Sequence, residues 1–218
     1  MSSAAADHHH PAILPHEYPE DPQYGRATAG KIGMWVFLLS DAFSFGGLLL
    51  AYGILRGGTE GPWPPEGAPV LGINFTAGLT FLLICSSVSM VMAYAACVEK
   101  NRKGMILWLG LTVLGGALFL GGQMQEYFGT FEAIFHHEGL VAEGLGFGDS
   151  HYATTFYCIT GFHGLHVFTG VCYLTITWIR AIMGKYDDGN YNEIEIAGLF
   201  WHFVDLVWIL VFTFVYLL

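Results

Sequence analysis

The run INFTAGLTFLLICSSVSMVMAYAACVEKNRKGMILWLGLTVLGGALFLGGQMQEYF, residues 73–128, decides the fold. It holds two apolar stretches, each long enough to exceed the ~20 residues a helix needs to cross hydrocarbon. Between them stand only Glu99, Lys100, Asn101, Arg102 and Lys103. Five consecutive polar residues between two such runs make a tight turn in water, so the stretch predicts a transmembrane helical hairpin.

Outward from this hairpin the pattern repeats. Apolar runs over 31–55, 152–183 and 194–218 join 73–98 and 105–128 to make five spans. The breaks have local causes. Gly57 and Gly58, then Gly61, Pro62, Trp63, Pro64 and Pro65, end the first run. Acids, histidines and glycines fill 129–151, and Asp187, Asp188, Gly189 and Asn190 form a turn signal before the last run. The expected fold is all-α: a polytopic membrane protein built as a five-helix bundle over 31–218, preceded by a polar His- and Pro-rich tail over 1–30. That tail has no apolar h-region, so no cleavable signal peptide is expected. His8, His9, His10 and His16 read as part of a polar tail before they read as a metal site.

Composition agrees. Hydrophobic residues are 54% of the 218 and charged residues 12%, about half the roughly one quarter of a soluble domain. Mean hydropathy is +0.50. The formal net charge is -10 with no basic stripe, which argues against a nucleic-acid partner. Cys85, Cys97, Cys158 and Cys172 lie in or beside apolar runs without CxxC spacing and read as small buried hydrophobes. Of the 8 Lys and Arg, Arg26, Lys31, Lys100, Arg102, Lys103, Arg180 and Lys185 fall on the N-terminal side of the five spans and Arg56 alone on the other. The positive-inside rule then puts the N-terminus in the cytoplasm and the C-terminus in the periplasm. Gly46, Gly47, Gly115, Gly116, Gly121, Gly122, Gly161 and Gly164 are expected to let helix backbones approach closely.

Ionisable groups inside spans are the functional candidates, because hydrocarbon penalises charge. Asp41 is either a proton-handling carboxylate or a structural hydrogen-bonding one. His163 and His166 are three apart and share a helix face, as do His202 and Asp205. With His163 they form a packing or polar cluster in preference to a metal site, which needs three or four convergent ligands. Asp205 is expected to pair with His202 or His163. Glu126 closes the third span, where its carboxylate can reach water. Trp178, Arg180 and Trp208 are expected at headgroup level, with Arg180 on a phospholipid phosphate. The chain carries no Walker motif, GxGxxG fingerprint, nucleophile elbow or HExxH, so no catalytic residue and no metal site of its own is assigned.

Several stretches resemble subunit III of haem-copper terminal oxidases, the cytochrome c and quinol oxidase subunit 3 family, in its five-helix bacterial form. They are TGFHGLHV over 160–167, FWHFVDLVW over 200–208, Gly33-Met34 through Ser40-Asp41, Glu99 to Arg102, and Glu126-Tyr127-Phe128. They run in family order from about Lys31 onward. The resemblance implies a non-catalytic subunit beside the catalytic one, in an aa3-type cytochrome c oxidase that reduces dioxygen to water while pumping protons. It would bind phospholipid and support proton uptake and stability. No cofactor is implied in this chain; haem and copper would sit in partner subunits. Subunit I is the implied direct partner, with subunit II and a subunit IV in the same complex and a respiratory supercomplex beyond it, all in the bacterial inner membrane. The family often has Glu where Asp41 stands, and its larger members carry two further helices at the start. Quinol oxidase and nitric oxide reductase accessory subunits are alternatives within the resemblance. A stand-alone proton-coupled transporter using Asp41, Glu126 and the His163–Asp205 group is the alternative outside it.

Overall fold

Three of the five helices begin on a side chain that accepts a hydrogen bond from the first turn. Thr28 Oγ1 accepts from Lys31 N, Asn101 Oδ1 from Gly104 N, and Ser150 Oγ from Ala153 N. These caps satisfy amides that would otherwise be orphaned. They also explain why the helices start a few residues before the apolar runs. The computed structural model describes residues 28–69, 71–129, 139–187 and 191–218; the His-rich tail, the acids Glu132 and Glu138 and the turn residues Asp188, Gly189 and Asn190 lie outside these. The helices are α1 (Ala29–Gly58), α2 (Ile73–Val98), α3 (Arg102–Phe128), α4 (His151–Ile182) and α5 (Asn192–Val211). A π-helical turn, Phe212–Leu217, follows α5 where the sequence suggested a plain α-helical end. No strand occurs among the described residues. All five helices are long and apolar enough to cross a membrane, and the chain is an all-α, multi-pass membrane protein.

Each span carries the chain across the apolar thickness, so consecutive helices run antiparallel. α2, α3, α4 and α5 close a four-helix ring through α2–α3, α3–α4, α4–α5 and α5–α2 contacts, and α1 packs outside it on α4 and α5. Burial within a bilayer cannot rest on the hydrophobic effect between helices, so close packing and hydrogen bonds must hold them. A Cβ on Gly115 would stand 2.7 Å from the Ser86 Cβ, and one on Gly116 would stand 2.5 Å from the Trp201 ring and 2.6 Å from Val171. Gly122 meets Leu79 and Gly164 meets Gln123 as closely. Gly46, Gly47, Gly121 and Gly161 have open space instead, so the close-approach expectation fails there. Gly170, against Trp201 at 3.0 Å, takes that role without being singled out by the sequence pattern.

Tryptophan indoles supply the interhelical hydrogen bonds. Trp201 Nε1 donates to Ser86 Oγ at 2.9 Å and Trp208 Nε1 to Thr80 Oγ1 at 2.9 Å, pinning α5 to α2. Trp178 Nε1 donates to the Ile106 carbonyl at 2.9 Å, pinning α4 to α3. Trp208 is therefore a core residue, only 1% exposed, and no headgroup marker. The cysteines also depart from expectation: Cys97 is buried, but Cys85, Cys158 and Cys172 are exposed on outer helix faces. A thiol is apolar enough to face hydrocarbon as readily as a core.

Candidate functional site

α1 crosses the outside of the ring diagonally. Near its start it meets α5, where Lys31 Nζ lies 2.6 Å from Glu195 Oε2 and Thr28 Oγ1 donates to Asn192 Oδ1. Farther along it meets α4 through Phe45, whose ring lies 4.9 Å from Phe162 and 5.2 Å from His166. Asp41 sits between these two contact zones, 18 Å or so from the helix start at ~1.5 Å per residue, and is 7% exposed.

The Asp41 carboxylate meets His166: Nε2 lies 3.1 Å from Oδ1. The other ring nitrogen, Nδ1, is 2.8 Å from the Phe162 carbonyl. A carbonyl only accepts, so Nδ1 carries a hydrogen. Nε2 then has two ways to bond Asp41. It accepts from a protonated carboxyl, or it donates to a carboxylate as imidazolium. Both arrangements are neutral overall and differ by the place of one proton. Asp41 and His166 are thus a one-proton pair that fits hydrocarbon without a net charge.

The expected His163–His166 group divides. The side chains share a helix but not a task. His163 is fully buried, inclined at 30° over Trp208 with ring centroids 4.8 Å apart and edge-on to Phe119 at 5.9 Å. Neither of its nitrogens has a hydrogen-bond partner. The expected His163–Asp205 pairing is therefore absent. Asp205 is buried and stands near Ser87 of α2 and His202 one turn back on its own helix; His202 is half-buried. Among the described residues, no three His, Cys, Asp or Glu side chains are grouped as metal ligands.

Glu126 corrects another expectation. It is 9% exposed, enclosed rather than reaching water. Thr76 Oγ1 donates to its Oε1 at 2.9 Å and Tyr216 O–H to its Oε2 at 3.0 Å. The π-helical turn brings Tyr216 to it, closing α2, α3 and the C-terminus over one carboxylate. Beside it a second network was not foreseen: Gln123 Nε2 donates to Tyr127 Oη and to the Thr160 carbonyl, both at 2.8 Å, and Tyr127 O–H donates to Thr160 Oγ1 at 2.6 Å. Uncharged amides and hydroxyls carry no signal of their own in an apolar run, so only the fold reveals it.

At the opposite end of the bundle Arg102, Arg180 and Lys185 are paired with acids. Arg180 bonds Glu193 of α5, and Lys185 Nζ reaches the same carboxylate at 2.9 Å. Tyr186 O–H also donates to it, at 2.9 Å. Burial, with Glu193 beside it, holds the Tyr186 phenol above its ordinary range. Arg102 bridges to Asp187 at 3.1 Å and to the Ile182 carbonyl at 2.7 Å. Arg180 therefore has a protein partner that the sequence did not suggest, although 43% of its side chain remains exposed.

Comparison with known proteins places these features in a group. The family model described as cytochrome c oxidase subunit III matches residues 25–218. Cytochrome c oxidase subunit 3 of Thermostichus vulcanus is 38% identical over 188 residues, 86% of each chain. The subunit of the same name from Synechocystis sp. is 37% identical over 196 residues, 89% of this chain and 78% of the relative. Cytochrome bo(3) ubiquinol oxidase subunit 3 of Pseudomonas aeruginosa is 32% identical over 225 residues, covering 100% of this chain and 99% of the relative.

Proposed function

Because this chain belongs to the cytochrome c oxidase subunit III family and is subunit III of a haem-copper oxidase, we propose that it is the non-catalytic subunit III of an aa3-type cytochrome c oxidase. In this reading the complex reduces dioxygen to water with electrons from cytochrome c and translocates protons. The chain lies in the bacterial inner membrane with its N-terminus in the cytoplasm. It packs directly on subunit I, within an assembly that includes subunit II and a subunit IV. Haem and copper belong to those partners.

The observation that carries the reading is the neutral Asp41–His166 pair near mid-membrane, in a chain whose family match runs over residues 25–218. Such a pair holds and passes a proton without exposing charge to lipid. It supports a part in proton supply to the neighbouring catalytic subunit, not an oxidation step of its own. At the cytoplasmic end, Arg180 and Lys185 share one carboxylate, Glu193. Two cations on one anion leave a net positive charge at headgroup level, which supports a phospholipid phosphate on Arg180. The donor assignment leans on the two relatives named for cytochrome c oxidase at 38% and 37% identity, against 32% for the ubiquinol oxidase relative.

Purification in a mild detergent tests this. The chain should bring down a larger haem- and copper-containing polypeptide that oxidises reduced cytochrome c. Turnover with ubiquinol alone would reassign the donor and the oxidase type. Recovery as a homo-oligomer without any haem protein would defeat the subunit reading and favour a stand-alone transporter.

A further inference from the structure

Buried polar atoms in a native bundle are almost always hydrogen-bonded, to protein or to ordered water. Around one point in this bundle several are not bonded to protein. Both nitrogens of His163 on α4, Oε1 of Gln123 on α3 and Oδ2 of Asp41 on α1 have no protein partner. His163 is 0%, Gln123 2% and Asp41 7% exposed.

These atoms share a neighbourhood. Gln123 Oε1 lies against Gly164, the residue after His163, where a Cβ would stand 2.7 Å from it. Phe119, one turn before Gln123 on α3, is 5.9 Å from the His163 ring. Phe45, one turn after Asp41 on α1, is 6.2 Å from the same ring. On α4, Tyr157, Thr160, His163, His166 and Thr169 recur every third residue, each beside the next, in a row that winds around the helix. Below His163 in this row stands the Asp41–His166 pair; above it stands the Gln123–Tyr127–Thr160 network. His163 is the one ionisable member of the row whose nitrogens are both uncommitted.

The geometry points to a hydrated proton relay centred on His163. Internal water bridges its nitrogens to Gln123 Oε1 on one side and to Asp41 Oδ2 on the other, and so connects the Asp41–His166 pair to the polar network nearer the α3 C-terminus. Two acceptors and an imidazole, each without a protein partner, supply the polar contacts that a buried water needs. His163 takes a proton on one nitrogen and gives up the proton on the other, ending neutral with its tautomer exchanged. No electron moves. His166 cannot substitute, because Phe162 and Asp41 already engage both of its nitrogens. The relay rests on the reading of Asp41–His166 as a proton-holding pair and adds the route by which that pair exchanges its proton.

The test uses the purified oxidase complex in lipid nanodiscs. On transfer to heavy water, hydrogen–deuterium exchange of the pair is followed by its infrared bands, which are assigned by their loss in Asp41→Asn. His163→Phe keeps a ring against Trp208 and Phe119 but removes both nitrogens. It should slow exchange by about a hundredfold or more, the scale on which positioned acid–base groups act. An unchanged rate in an assembled His163→Phe complex would overturn the relay. Bands that survive Asp41→Asn would instead defeat the reading of the pair itself. Should His163→Phe fail to assemble, the unmodified complex still decides. A map that resolves internal water should show density within hydrogen-bond reach of His163 and Gln123 Oε1; water resolved elsewhere in the bundle but not here would overturn the proposal.

Discussion

Asp41 and His166 show how much turns on a single contact. Before folding, Asp41 is one carboxylate in an apolar run, and its partner could be any polar group on any helix. The 3.1 Å contact with Nε2, together with Nδ1 on a carbonyl, reduces the options to two neutral proton placements. Asp41→Ala would leave Nε2 buried without a partner and loosen α1 from α4. We expect it to lower unfolding stability in detergent by about 1–3 kcal/mol, the usual penalty for an unsatisfied buried polar group. Haem and copper content should stay unchanged, as the proposed function assigns those groups to partner subunits. Asp41→Asn, whose amide N–H can donate to Nε2, should retain most of the stability. Thermal denaturation with metal analysis checks both, and an equal loss in the two variants would show that charge, not the hydrogen bond, holds the helices together. Glu126 gives the complementary lesson. Its place at a helix end suggested water, whereas Tyr216, 90 residues later, encloses it.

Among the elements, α3 is the one most constrained by its neighbours. Gly116 lies under the Trp201 ring and Val171, while Gly121, five residues on, faces open space. Both are glycines of the same apolar helix, so composition cannot rank them. Gly116→Val should destabilise the bundle by about 1–3 kcal/mol through overpacking. Gly121→Val should fall within about 0.5 kcal/mol of the unmodified chain, as surface changes usually do. Unfolding of the two variants in the same detergent compares them directly; similar losses would mean that α3 is not held at the position described. The tryptophans act at this scale too. Trp201 and Trp208, seven apart on α5, turn the same face to α2 and fix its rotation through Ser86 and Thr80.

For the molecule as a whole, one end gathers Lys31–Glu195, Arg102–Asp187 and Arg180–Glu193–Lys185. The other gathers Trp63 with Tyr52 and Glu126 with Tyr216. This polarity, with the positive-inside rule, underlies the proposed orientation. In sealed right-side-out vesicles, Glu66→Cys should react with a membrane-impermeant maleimide at once, and Lys103→Cys only after permeabilisation. The reverse order would invert the topology. The native thiols lie within the spans, so the unmodified chain provides the background.

The number and approximate limits of the spans were legible in the sequence, because bilayer thickness imposes a length on apolar runs and polar turns must reach water whatever the packing. So were Asp41, His163 and Asp205 as costly groups inside spans, since hydrocarbon penalises charge at any position, whereas the enclosure of Glu126 was not. Which groups meet was settled by tertiary structure alone. His163 and His166 are identical residues one helical turn apart, yet one faces Asp41 on α1 and the other an aromatic cage between α3 and α5. Helical periodicity says which side chains share a face; the crossing of α1 over α4 decides which of them finds a partner.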